Sequence, residues 1–63
     1  MLMNSPRKKI LDLFLKEKVI TTSETAKSTH LSWNTAEKYL LELLIEGKVI
    51  RIKKEGVNLW LKK

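Results

Sequence analysis

Apolar residues recur at helical spacing through the first three-quarters of the chain and alternate with polar residues in the last quarter. In the first segment Ile10 and Phe14 lie one helical turn apart, behind a serine and a proline at positions 5–6. Serine caps free amides, and proline at the first helical position has no amide hydrogen to lose. The pattern predicts a helix over residues 6–18, followed by a short extended segment at residues 19–20.

A second helix is indicated by the letters TTSETA at residues 21–26. Thr21 and Glu24 have the spacing of a capping box, in which each side chain accepts a hydrogen bond from the other residue's amide. The predicted helix covers residues 22–29, and Ala26 is the one clearly inward residue that the pattern identifies.

The third helix has the strongest periodicity, over residues 33–46, with Ala36, Leu40 and Leu43 as its inner stripe. Gly47 follows as the stop, because glycine adopts the left-handed conformation that ends many helices. Two alternating segments separated by a turn at residues 55–56 then predict a β-hairpin over residues 48–61. Trp60 is expected in the core or at an interface.

Composition limits the possible functions. Sixty-three residues without cysteine make one domain with neither disulfides nor thiolate metal sites. No apolar run approaches the ~18 residues of a membrane span, so the sequence favours a cytoplasmic protein, nucleoid-associated in a prokaryote. The net charge of +6 favours a polyanionic partner. Convergent acid–base groups, metal ligands and phosphate-binding glycine loops are missing from the pattern, so we expect no enzyme, cofactor, metal or small-molecule ligand.

The order of elements resembles the winged helix-turn-helix family over about residues 6–61. The segments that carry the resemblance are TTSETA, LSWNT, YLLEL and EGKV, at residues 21–26, 31–35, 39–43 and 46–49. The resemblance implies an α+β fold of three helices, a short strand after the first helix and a C-terminal hairpin wing. It also implies that the third helix enters the major groove of double-stranded DNA. Thr25 departs from the family, which usually has leucine there, and this predicts a less well anchored second helix.

Candidate DNA contacts follow from the third helix and its surroundings. A rotation of about 100° per residue from the inward Ala36 places polar residues near the helix start on the outer side. Asn and Lys can both read base edges, and Trp33 and the Thr35 methyl can contact thymine methyl groups. The residues expected to read bases are Trp33, Asn34, Thr35, Glu37 and Lys38. Phosphate contacts are expected from the helix starts and basic turns, at Thr22, Ser23, Lys27, Ser32, Lys53 and Lys54.

Several apolar residues lie outside the predicted core stripes, and a patch of this kind usually marks an interface. They are Leu2, Leu11, Leu15, Leu41 and Ile45. We expect a homodimer with two-fold symmetry built on the first helix and the N-terminal residues. Packing within one chain is the alternative interpretation.

The sequence therefore predicts a small, sequence-specific double-stranded DNA-binding protein that regulates transcription. Two alternatives stay open. One is a protein-interaction module with Trp33, Leu41 and Ile45 as its docking face, and the other is an architectural or replication-associated DNA binder with little sequence preference.

Overall fold

A computed structural model describes residues 5–63 as three helices and a three-stranded antiparallel sheet, a small α+β fold. The elements in chain order are α1 (Pro6–Lys16), β1 (Val19–Thr21), α2 (Thr22–Thr29), α3 (Trp33–Ile45), β2 (Val49–Lys54) and β3 (Val57–Lys62). The expected order is found. The first helix ends at Lys16 instead of residue 18, the third at Ile45 instead of 46, and the hairpin begins and ends one residue later than expected.

The sheet has the strand order β1-β3-β2, so the short strand after α1 pairs with the far strand of the hairpin. Val19 lies opposite Leu61, Ile20 opposite Trp60 and Thr21 opposite Leu59. This pairing was not predicted from the sequence. It ties α1 and α2 to the hairpin, because β1 lies between those two helices in the chain.

Local signals account for the helix boundaries. Thr21 and Glu24 form the expected capping box, with both hydrogen bonds at 3.0 Å. Gly47, at φ +78°, follows the end of α3, and its amide donates to the Leu44 carbonyl. The Lys48 amide donates to the Leu43 carbonyl at 2.9 Å, which completes a Schellman motif.

The hairpin turns at Glu55 and Gly56, both with positive φ, at +51° and +80°. Two consecutive positive φ values are the signature of a type I′ turn, whose twist matches that of the flanking strands. The turn sets the register in which Lys54 lies opposite Val57.

The hydrophobic core lies between the helices and one face of the sheet. Its buried residues are Ile10, Phe14, Ile20, Leu40, Leu43, Val49 and Trp60. Trp60 is fully buried, so the expectation of a core role is confirmed.

Helix α2 contributes a polar inner face instead of an apolar one. Thr22, Thr25, Ala26 and Thr29 are all buried, so the expectation of a single inward residue is wrong. The Thr25 hydroxyl donates to the Thr21 carbonyl at 2.9 Å, and the Thr29 hydroxyl donates to the Thr25 carbonyl at 2.7 Å. Thr25 has 0% exposure, so the position that departs from leucine is still buried in the fold.

Candidate nucleic-acid interface

The start of α2, the start of α3 and the hairpin tip border one cleft of about 260 Å³. Its lining residues are Thr21, Thr22, Ser23, Trp33, Lys53, Gly56, Val57 and Asn58. Both helix starts carry a positive partial charge, because the first amides of a helix have no partner within it. The arrangement therefore brings two positive helix ends and a basic hairpin together on one side of the fold.

A hydrogen-bond network under this cleft connects α2, α3 and β3. The indole Nε1 of Trp60 donates to the Thr22 hydroxyl at 2.8 Å, and that hydroxyl donates to Glu37 Oε1 at 2.8 Å. The Asn58 side-chain amide donates to Glu37 Oε2 at 3.3 Å. The proton donors are Trp60, Thr22 and Asn58, and the last acceptor is the Glu37 carboxylate. Glu37 therefore links α3 to both α2 and β3.

This network corrects two of the expected DNA contacts. The side chain of Thr22 is buried, with 3% exposure, so its hydroxyl cannot reach a phosphate. Glu37 is half-buried, and both of its carboxylate oxygens accept hydrogen bonds from within the fold. Glu37 therefore holds α3 in place instead of facing outward to read a base.

The other residues expected to read bases lie along the exposed start of α3. Asn34 and Lys38 are exposed, and Trp33 has 49% exposure. Thr35 is half-buried, and its hydroxyl accepts a hydrogen bond from the Ser32 hydroxyl at 2.8 Å. Ser32 is exposed and also caps α3 by accepting from the Thr35 amide at 3.2 Å. Its hydroxyl proton is thus already used within the fold.

The two hairpin lysines lie on opposite faces of the sheet. Residues directly opposite each other in an antiparallel pair have side chains on the same face, and neighbours along a strand alternate. Lys53 lies opposite Asn58, and both line the cleft. Lys54 lies opposite Val57 on the other face. The sequence alternation alone shows that Lys53 and Lys54 lie on opposite faces, but not which of the two faces lies toward the helices.

Some basic side chains of the described residues pair with carboxylates and others do not. On α1, Arg7 pairs with Glu46, and Lys8 lies 3.6 Å from Asp12. Ser23 at the start of α2, Lys27 in its last turn, Lys38 on α3 and Lys53 on the hairpin are all exposed. Within residues 5–63 none of these three lysines forms an ion pair. Their ammonium groups are therefore available to an anion.

The residues expected at a dimer interface separate into two kinds. Leu11 and Leu41 are partly buried against the core, as the alternative of packing within one chain implies. Leu15 and Ile45 are exposed, at 72% and 85%. Leu2 lies outside the described residues. Leu11 and Leu15 border a groove of about 460 Å³ together with Asp12, Gly47, Lys48, Lys62 and Lys63.

The part of the chain that the structure describes holds no cluster of three or more metal-ligating side chains. None of its helices has both the length and the apolar character needed to cross a bilayer. The chain matches no protein-family model and no curated protein sequence.

Proposed function

We propose that this chain is a winged helix-turn-helix protein that binds double-stranded DNA with sequence preference and regulates transcription in the cytoplasm. Helix α3 lies in the major groove in this proposal, and the hairpin is the wing that contacts the backbone. The observation that carries the proposal is the single cleft that joins the starts of α2 and α3 to Lys53 of the hairpin.

Contacts to phosphate supply most of the proposed affinity. Ser23 and the first amides of α2 form an anion site at a positive helix end, and Lys53 lines the same cleft. Lys27 and Lys38 are further exposed cations on α2 and α3. The net charge of +6 adds long-range attraction to a polyanion. Base preference then comes from Asn34 and Lys38, with Trp33 and Thr35 available to thymine methyl groups.

Self-association is part of the proposal, through the groove that Leu11 and Leu15 border on α1. Asp12 lies in that groove beside lysines, so a two-fold arrangement can bring opposite charges together. A two-fold dimer predicts half-sites about 10 bp apart, or a multiple of that. If each copy neutralises about four phosphates, log affinity falls with log salt at a slope near −7.

The alternative of a docking face formed by Trp33, Leu41 and Ile45 has weaker support. Leu41 packs partly against the core, and Trp33 and Ile45 stand at opposite ends of α3, about 18 Å apart along its axis. A binder with little sequence preference differs from the proposal only at the base-reading residues. A comparison of one selected duplex with random duplex tests that difference.

The experiment compares Lys53→Gln with Lys54→Gln in anisotropy titrations of a labelled duplex across salt. Lys53→Gln is expected to weaken binding to all sequences alike and to reduce the salt slope by about 1 per protomer. Lys54→Gln is the matched control, because it removes the same charge from the opposite face of the same strand. Equal effects of the two changes would contradict the proposed contact, and failure of the wild-type chain to bind duplex at low salt would remove the function altogether.

A further inference from the structure

The face of the sheet that points away from the helices is apolar. Register places Val19, Leu61 and Ile50 side by side in one row, and Leu59 between Ile52 and Thr21 in the next, with Thr21 as the polar member of that row. Val57 lies beyond them, next to Lys54. We call these six apolar residues the outer sheet face. Since a sheet with one solvated face ordinarily carries polar residues there, this composition needs an explanation.

Exposure agrees with the register. Val19, Ile50, Ile52 and Val57 are 40–48% exposed, which for side chains standing on a sheet means that the outward half of each is open to solvent. Leu59 and Leu61 are half-buried between the flanking strands. The helices and the Trp60 network are on the other side, so no described element covers the outer sheet face.

Lysines stand at both ends of this face. Lys54 lies on it beside the turn, and at the opposite end Lys48 and Lys63 are joined by a backbone hydrogen bond of 3.1 Å. Six residue steps from Lys48 to Lys54 span about 20 Å along a strand. A helix of that length has about 13 residues.

These features distinguish between possible occupants. A second copy docked on this same face would bring lysine ends against lysine ends, and charge of one sign opposes association. The apolar rows cover roughly 14 Å by 14 Å, well below the about 800 Å² per partner that a stable dimer buries. A bilayer surface fits less well, because Trp and Tyr are enriched at membrane–water interfaces and the described part of this face has no aromatic side chain.

We infer that the outer sheet face docks an amphipathic segment of another protein, of about 13 helical residues, with an apolar stripe and acidic residues at its ends. The apolar stripe covers the two rows of aliphatic side chains, and the acidic ends meet Lys54 on one side and Lys48 with Lys63 on the other. The surface meets the cleft of α2, α3 and Lys53 only near the turn, where Val57 borders both, and Lys53 and Lys54 lie on opposite faces.

The test selects peptides from a random displayed library of about 16 residues, long enough for the proposed helix, on the full chain. The same selection is run on the double variant Ile50→Thr with Ile52→Thr. Threonine keeps the β-branched shape that strands favour and leaves the charge unchanged. The control is Ile45→Thr, which removes an isoleucine that is 85% exposed but lies on α3. Circular dichroism first establishes that all three chains are folded.

We expect enriched peptides that combine Asp and Glu with apolar residues at helical spacing. Their affinity falls at least tenfold for the double variant and stays within twofold for Ile45→Thr. Enriched peptides that are basic or uncharged, or that bind the double variant as well as the wild type, overturn the inference. The inference is also overturned if no peptide is enriched and the double change abolishes one of two other activities. Loss of self-association in sedimentation would identify a second copy as the occupant, and loss of binding to phosphatidylglycerol vesicles would identify a membrane. None of these results depends on DNA binding, so the inference and the proposed function fail separately.

Discussion

Replacement of Thr22 by valine removes one hydroxyl from the network that connects α2, α3 and the hairpin, with almost no change in side-chain volume. The hydroxyl accepts from Trp60 Nε1 and donates to Glu37 Oε1, each at 2.8 Å. Both bonds are lost in Thr22→Val. Water can replace the lost bond at Glu37 but not at Trp60, and this difference sets the expected loss of unfolding free energy.

The indole N–H of Trp60 has no route to water, because the residue is fully buried. An unsatisfied buried donor costs about 1–3 kcal/mol. Glu37 is half-exposed and keeps its bond from Asn58, so water can replace the lost bond and the added cost is up to about 1 kcal/mol. The free energy of unfolding is therefore expected to fall by about 1–4 kcal/mol, which at about 4–8 °C per kcal/mol lowers the Tm by roughly 5–30 °C for a domain of this size.

The assay is urea unfolding followed by far-ultraviolet circular dichroism, because tryptophan emission would itself respond to the lost indole bond. Thr25→Val is the matched control. Thr25 is equally buried, but its hydroxyl donates to the Thr21 carbonyl, which also accepts the first backbone bond of α2. We expect Thr25→Val to change stability by less than about 1 kcal/mol. A cost below about 0.5 kcal/mol for Thr22→Val, or equal costs for both changes, would refute the role given to the network.

Three further outcomes are expected. Leu40→Ala, at a fully buried position of α3, lowers the unfolding free energy by about 2–5 kcal/mol, and a smaller loss in calorimetry would mean that the core collapses around the cavity. Gly47→Ala meets no atom within 4 Å but must adopt φ +78°, so it costs about 1 kcal/mol in urea titrations; a neutral result would argue against the Schellman end of α3. Asn34→Ala leaves stability within about 0.5 kcal/mol but relaxes base selectivity by about 1–3 kcal/mol in competition binding, and unchanged selectivity would remove Asn34 from base contact.

The helices could be predicted because their signals are local. The capping box at Thr21 and Glu24 and the left-handed Gly47 act within a few residues of the boundary that they define. The pairing of β1 with β3 could not be predicted in the same way. It joins Val19 to Leu61 across most of the chain, and a three-residue strand has too little pattern to specify its partner.

Among the residues expected to contact DNA, Glu37 and Thr22 were assigned the wrong environment. A helical projection gives the direction of Glu37 relative to its own helix, but not that Asn58 of the hairpin lies within hydrogen-bonding distance. For Thr22 a signal was present. The buried positions of α2 are spaced i, i+3, i+4 and i+7 from Thr22, which is the spacing of an inward face made largely of threonine. The buried indole of Trp60 was a second signal, because such a group needs an acceptor.

The outer sheet face shows a different limit of sequence reasoning. Alternation in β3 separates Leu59 and Leu61 from Asn58 and Trp60, but each set contains large apolar side chains, and either face could have been the buried one. Only the packing of the helices against Trp60 decides which set is left in solvent.

The central proposal is that DNA meets the start of α3 and the inward face of the hairpin. It is tested most directly by amide chemical-shift mapping with a mixed-sequence duplex of about 20 bp at roughly 50 mM salt. We expect the largest shifts at residues 22–23, 33–38 and 53–56, diminishing together as salt is raised. Shifts confined to the outer sheet face or to α1, or no shifts at low salt, would contradict the account.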